Sequence, residues 1–264
     1  KPNKNEIIVC SYNLKEMIDI IKNYKFKTSL IDIQKHNGLI DIKELKNRIS
    51  QNTAAILYTN MFNDYSHAER IKEMCIENDI LLIEDCAIYY GNYTTKDNKK
   101  TYAGSIGDVS IFSFGIMKNV CAIFGGSLVT SNKDIYNYSI KKNNEYKKFS
   151  RFLYFKKSLL FLILKFSLSK YIYNYLFFYV IKIATIKKIK PLLNMFYPAL
   201  KFKNKINLPE NYYSKISNLS LNIISNYIES NDFVIETAAR SRNNKLYQNY
   251  FENHKYIEII KIND

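Results

Sequence analysis

Three polar residues in the first half of this 264-residue chain stand where apolar runs end. Asp85 closes Leu81-Leu82-Ile83-Glu84-Asp85. Ser113 sits in Phe112-Ser113-Phe114, at the end of the run that begins at Val109. Lys118 follows four residues after Phe114 and precedes Gly125-Gly126. Open parallel α/β sheets bind ligands at the carboxyl ends of their strands, where loops and helix N-termini converge. A carboxylate, a hydroxyl and a lysine at neighbouring strand ends make a candidate cofactor site. Each residue also has a plain structural reading: Asp85 as a cap, Ser113 as a core hydroxyl, Lys118 as a solvated charge.

The elements that must position them alternate in type. Ile7–Ser11, Ser29–Ile33, Ala54–Thr59 and Leu81–Asp85 read as buried strands. Leu14–Tyr24, Ile42–Ile49 and Ser66–Asn78 read as the helices between them, the last opened by a Ser66/Glu69 capping box. Such βαβαβαβ order predicts a parallel sheet covered by helices. After a polar loop over Asn92–Thr101, Val109–Phe114 and Ser127–Ser131 read as two further strands. Residues 212–251 read as one or two amphipathic helices.

Composition sets the broad class. Hydrophobic residues make up 47% of the chain and charged residues 24%, with no Gly/Ser or Pro-rich tract, which excludes a disordered or fibrous protein. The four cysteines (Cys10, Cys75, Cys86, Cys121) are widely spaced, without CxxC or a Cys/His cluster, so neither a disulfide scaffold nor a zinc site is indicated. His36 and His67 carry no assigned role, and Gly107-Asp108 reads as a turn. A reducing cytoplasm is the expected compartment. The chain opens almost directly into a strand and closes inside what reads as an unfinished element, Tyr256–Ile262. No signal peptide is visible, and a fragment of a longer protein is expected.

The net charge of +15 is confined to one segment. Residues 141–205 hold 16 basic side chains against the single acid Glu145, while the remainder holds 23 of each sign. That segment is also the most apolar. Its longest charge-free run, Tyr171–Ile181, has 11 residues, too few for the roughly 18–20 that a spanning helix needs. Three readings stay open: a helical hairpin packed on its own domain or a partner subunit, a surface for anionic membrane over 151–200, or a nucleic-acid contact. No RNA- or DNA-binding motif accompanies the charge, and no nucleic acid is expected as a partner.

Four motifs in order resemble one family: Glu84-Asp85-Cys86-Ala87, Gly104-Ser105-Ile106-Gly107-Asp108, Phe112-Ser113-Phe114-Gly115-Ile116-Met117-Lys118 and Gly125-Gly126-Ser127-Leu128-Val129-Thr130. Together they look like the core signature of the DegT/DnrJ/EryC1/StrS sugar aminotransferases. The resemblance runs from Glu6 to about Thr130 and resumes more loosely over Leu208–Tyr250. It implies an α/β fold of the PLP-dependent transferase type I, like aspartate aminotransferase, with a mostly parallel sheet and a helical insertion. The implied division is 1–140 as most of the large cofactor domain, 141–205 as the basic apolar insertion, and 206–264 as the start of a smaller domain.

The same resemblance implies the chemistry. The cofactor would be pyridoxal 5′-phosphate. Lys118 would match the lysine that holds it covalently through its amine and then shuttles the proton. Asp85 would match the acid that pairs with the ring nitrogen, and Ser113 the hydroxyl that binds the phosphate. The expected acceptor is a nucleotide-linked keto-sugar for surface polysaccharide or glycoconjugate synthesis, the donor glutamate or glutamine. A homodimer is expected, cytoplasmic and in peripheral contact with the inner membrane face. Two positions depart from the family pattern: Ile88 stands where a Gln is usual, and Asn13-Leu14, beside Tyr12, where a Thr-aromatic pair is usual. They motivate the alternatives of dehydratase-like chemistry on the same fold, or a non-catalytic membrane-surface protein.

Overall fold

The computed structural model describes residues 4–61, 65–96, 98–116, 118–196, 212–257 and 259. Residues 1–148 with 213–264 form one compact unit and residues 149–212 a second.

The first unit is built on a six-stranded sheet. Its strands are β1 (Glu6–Cys10), β2 (Lys27–Ile31), β3 (Thr53–Thr59), β4 (Leu81–Asp85), β7 (Val109–Ser113) and β8 (Gly126–Val129), in the spatial order β2-β1-β3-β4-β7-β8. The first five run parallel, and only β8 is antiparallel to its neighbour. The chain steps from β1 outward to β2, then returns across β1 to β3 and on to β4. Because such crossovers are right-handed, the reversal puts α1 (Lys15–Asn23) on one face and α2 (Ile42–Arg48) and α3 (Tyr65–Glu77) on the other.

Side-chain alternation along the strands then builds two cores. Ile8, Ile56, Tyr58 and Leu82 face Leu45 of α2 and Ile71 and Cys75 of α3. Val9, Leu57 and Ile83 face Met17 and Ile21 of α1. Ile8, Ile56, Ile71 and Leu82 are fully buried, each worth about 1.5–3 kcal/mol relative to exposure. A third cluster joins Phe114, Val120 and Ala122 to Ile224 of α9 (Asn218–Glu229), with Phe233 of α10 (Asn231–Phe251) packed against it.

Three features differ from the expectations. The Asn92–Thr101 stretch is a hairpin, β5 (Tyr93–Lys96) with β6 (Lys99–Tyr102). It is held by the Tyr93–Tyr102 ring pair at 5.5 Å and by Lys100 over the Tyr93 ring at 4.2 Å, contacts that need no apolar run. The strand expected at Ser29–Ile33 begins at Lys27 and ends at Ile31, because an edge strand can open on Lys-Thr-Ser; Ile33 instead makes an isolated bridge to Ile40. A helix, α4 (Lys133–Glu145), follows β8, with the Asn132 side chain accepting from the backbone of Asp134 and Ile135. The Ser66 side chain of the expected capping box, Met117 of the third motif, and residues 258 and 260–262 of the expected last element lie outside the described residues.

At the end of α4 the short strands β9 (Lys147–Lys148) and β10 (Ser214–Lys215) pair in parallel. The Tyr146 and Tyr213 rings meet there at 5.9 Å, and a hydrogen bond to Tyr213 pushes the pKa of the Tyr24 hydroxyl up to about 12.

The second unit is helical: α5 (Arg151–Ser167), then a continuous run of α6 (Lys170–Ile172), a π-helical turn (Tyr173–Phe177) and α7 (Phe178–Ile186), then α8 (Lys190–Phe196). Ser150 caps α5 by accepting from the Leu153 N–H at 3.3 Å. No described helix is long and apolar enough to cross a membrane.

Candidate functional site

The carboxyl ends of β1, β3, β4 and β7 lie along one edge of the sheet. The Asn60 N–H donates to the Asp85 carbonyl at 3.0 Å and the Cys86 N–H to the Ile111 carbonyl at 2.9 Å, tying the three neighbouring strand ends together. Asp85 ends β4, and its register partner on β7 is Ile111, two residues before Ser113.

The two acids of β4 point to opposite faces. Glu84 is fully buried. Its Oε1 accepts from the N–H groups of Ile106 (2.9 Å) and Gly107 (2.5 Å), and its Oε2 from Gly104 N–H (3.2 Å) and the Asn60 amide (3.1 Å). One carboxylate thus moulds the 104–107 loop. A Cβ on Gly107 would lie 3.0 Å from both Glu84 Cγ and the Leu82 carbonyl, so any side chain there would press both neighbours to give by a few tenths of an ångström. Asp108 completes the turn by accepting from Leu82 N–H at 2.8 Å and pairing with Lys72 at 2.6 Å.

Asp85 is also buried, at 7% exposure, but holds one described hydrogen bond, from the Ala87 N–H to Oδ1 at 3.0 Å. Burial pushes its carboxyl above the usual range. The Ala87 N–H and the positive charge of Lys118 pull it part of the way back.

Ser113 and Lys118 sit on one turn. The Gly115 N–H points to Ser113 Oγ at 3.4 Å, and the Lys118 N–H donates to the Gly115 carbonyl at 3.3 Å. Both side chains are half-buried. The loop that carries the lysine is anchored from two sides. Phe114 N–H donates to the Gly125 carbonyl at 2.9 Å and Ala122 N–H to the Phe114 carbonyl at 2.8 Å. From the far end of the sequence, Ser220 Oγ donates to the Ala122 carbonyl at 3.2 Å and Arg240 to the Asn119 side chain at 2.5 Å.

The edge therefore brings Asp85 and Lys118 into electrostatic reach and sets Ser113 on the lysine's turn. Sequence reasoning missed Asn60, which bonds both Glu84 and Cys86, and the Ser220 and Arg240 anchors. A buried asparagine after the run Ala54–Thr59 is the one local signal; the anchors act across about a hundred residues of sequence and have none.

Of the departures, Leu14 and Ile88 are exposed, as is Tyr12, while Asn13 ties to Thr59 at 2.9 Å across the ends of β1 and β3. His67 is buried against the Ile40 carbonyl at 2.7 Å. Burial and the neighbouring Glu84 push the Cys86 thiol well up, so it stays protonated. Among the described residues no group of three or more His, Cys, Asp or Glu could hold a metal ion.

The profile of the DegT/DnrJ/EryC1/StrS aminotransferase family matches residues 2–149. A GDP-perosamine synthase of Escherichia coli O157:H7 is 26% identical over 133 residues, 50% of this chain and 35% of that protein. A GDP-4-keto-6-deoxy-D-mannose 3-dehydratase of Escherichia coli O55:H7 is 29% identical over 133 residues, 50% of this chain and 33% of that protein. The matched stretch thus spans about a third of these curated relatives. The solved Escherichia coli GDP-4-keto-6-deoxy-D-mannose-3-dehydratase, with bound hydrated PLP, superposes with a TM-score of 0.63 at 19% identity, over 98% of this chain and 56% of that one. The mostly parallel α/β fold expected from the motifs is the fold shared with that enzyme.

Proposed function

Because the chain belongs to the DegT/DnrJ/EryC1/StrS aminotransferase family, we propose that it is a pyridoxal 5′-phosphate-dependent aminotransferase for a nucleotide-linked keto-sugar in surface glycoconjugate synthesis. The observation that carries this reading is the buried Asp85 carboxylate within the field of Lys118 at the strand-end edge. The donor set suits the cofactor. Asp85 has one described N–H donor, on Oδ1, which leaves acceptor capacity for a protonated ring nitrogen. Ser113 Oγ and the Gly115 N–H stand together on a turn, suited to a phosphate oxygen.

Bound there, pyridoxal phosphate supplies the electron sink that lets an amino group pass between donor and sugar. Asp85 would pair with the ring nitrogen and keep it protonated. Lys118 Nζ would hold the cofactor covalently through its amine and would carry the proton to and from the reacting carbon. Glutamate or glutamine serves as donor, and the enzyme works as a cytoplasmic homodimer, the setting the family resemblance implies. The relatives named for GDP-linked sugars support a nucleotide sugar as acceptor.

A second reading has one specific observation behind it: Ile88, exposed where the family usually carries Gln, beside a relative named as a 3-dehydratase. Product analysis with a nucleotide-linked 4-keto-6-deoxy sugar and glutamate separates the two, an amino sugar supporting transamination and a 3-deoxy sugar dehydration. The cofactor assignment is tested by adding pyridoxal phosphate to the protein from its complete reading frame, reducing with borohydride and mapping the modified peptide. A pyridoxyl group on Lys118, absent from Lys118→Ala, is expected; no modified lysine, or one elsewhere, overturns it.

A further inference from the structure

We propose that the 149–212 unit docks on the surface of an anionic phospholipid bilayer, lying on it without crossing it. Among the described residues of the unit only Tyr154 and Ala184 are buried hydrophobic side chains. Fifteen large apolar side chains between Phe152 and Ile189 are exposed, far beyond the scattered singles of an ordinary surface.

On α5 they are ordered. Phe152, Phe155, Leu159, Leu162, Ile163 and Phe166 recur at helical spacing, so they form one stripe ~100° wide along the whole helix. Phe152 is 77% exposed and Phe166 70%. A stripe of that kind normally faces a core; this one faces outward. Arg151 and Lys156 flank it at the same spacing, placed so that their stems lie along apolar surface and their charges at a polar boundary. The run from Tyr171 to Ile186 repeats the theme with Tyr171, Tyr175 and Tyr179 at intervals of four, rings that suit a headgroup boundary.

Charge selects the occupant. Residues 149–196 hold nine basic side chains and no acid. A second copy pairing through the same face would set two such surfaces against each other. The rest of the chain outside 141–205 is electrically balanced and offers another copy's unit no acidic surplus. An anionic bilayer supplies both the negative layer and the apolar depth. The lysines interrupt every apolar run before it could span a bilayer, and no described helix is long and apolar enough to cross one.

The test is co-sedimentation of the full chain with phosphatidylcholine vesicles, with and without phosphatidylglycerol, at low and high salt. Binding to the phosphatidylglycerol vesicles at low salt is expected, weaker by ~10-fold or more on phosphatidylcholine alone or at high salt. Charge reversal at exposed positions (Lys156→Glu with Lys187→Glu and Lys188→Glu) and apolar removal (Phe152→Ser with Phe155→Ser and Phe166→Ser) should each abolish it. The chain contains no tryptophan, so Phe155→Trp gives a clean second readout: its emission should shift to the blue only with anionic vesicles. No binding at low salt, binding indifferent to lipid charge, or an indole emission of the Phe155→Trp variant unmoved by vesicles overturns the proposal. So does self-association of the chain that the Phe→Ser set dissolves without any vesicle binding, which would make a second copy the occupant.

Discussion

The carboxylates of Glu84 and Asp85, consecutive on β4, lie on opposite faces of the sheet and are solvated in opposite ways: Glu84 receives four hydrogen bonds and Asp85 one described bond. Both are buried. The satisfied acid shapes a loop, and the under-satisfied acid at the strand end is available to a ligand.

Glu84→Ala should therefore cost folding stability. Removing the carboxylate orphans three backbone N–H groups and the Asn60 amide in a closed site, a loss of about 2–4 kcal/mol. Urea unfolding monitored by circular dichroism reads it as a lower midpoint with an unchanged slope. An effect below about 0.5 kcal/mol would mean that water reaches those donors.

Asp85 gives the reverse result in the cofactor-free chain. Its folded-state pKa lies above the unfolded value near ~3.9. Over that window the folded chain keeps a proton that the unfolded chain has released, so stability falls as pH rises through it and stays lowered above. Asp85→Asn should remove this slope and raise the neutral-pH melting temperature, while abolishing retention of pyridoxal phosphate. Melting curves from acid to neutral pH check the first part and dialysis followed by cofactor absorbance the second.

Lys118 pulls the Asp85 pKa down, so Lys118→Ala should move it further up. The pH-dependent loss of stability in the cofactor-free protein then extends to higher pH than in the unsubstituted chain. An unchanged profile would mean that the two side chains do not sense each other.

Gly125→Ala should destabilise the lysine loop from its far end. Gly125 has φ +132°, where side chains are strained, and an added Cβ would lie 2.6 Å from Ile216 Cδ1. A cost of about 1–3 kcal/mol is expected. If the Phe114–Gly125 bond also holds Lys118 in place, pyridoxal phosphate binding should weaken in the folded variant, measured by titrating its absorbance.

Sequence pattern gave away the elements whose burial is continuous. Leu81–Asp85 reads correctly because a central parallel strand is apolar until its end, where the acids mark the site edge. The β5–β6 hairpin hid because its stability comes from Tyr93, Lys100 and Tyr102 pairing across strands, a contact between residues that look like loop. Asp85, Ser113 and Lys118 stood out by type and by position at strand ends. Glu84 looked equivalent to Asp85 in sequence; its four donors come from Asn60 and the 104–107 loop, partners that only folding brings together.

The pairing of Lys147–Lys148 with Ser214–Lys215 sets the departure and the return of the polypeptide side by side on the first unit. Both crossings between the first unit and the 149–212 segment thus fall at one paired point of the first unit. A segment whose two ends leave and re-enter a domain side by side can be lengthened, shortened or exchanged in descent without moving the ends it joins. The edge that carries Asp85 and the helix that carries Phe152 and Phe166 can in this way answer to separate selective pressures within one gene.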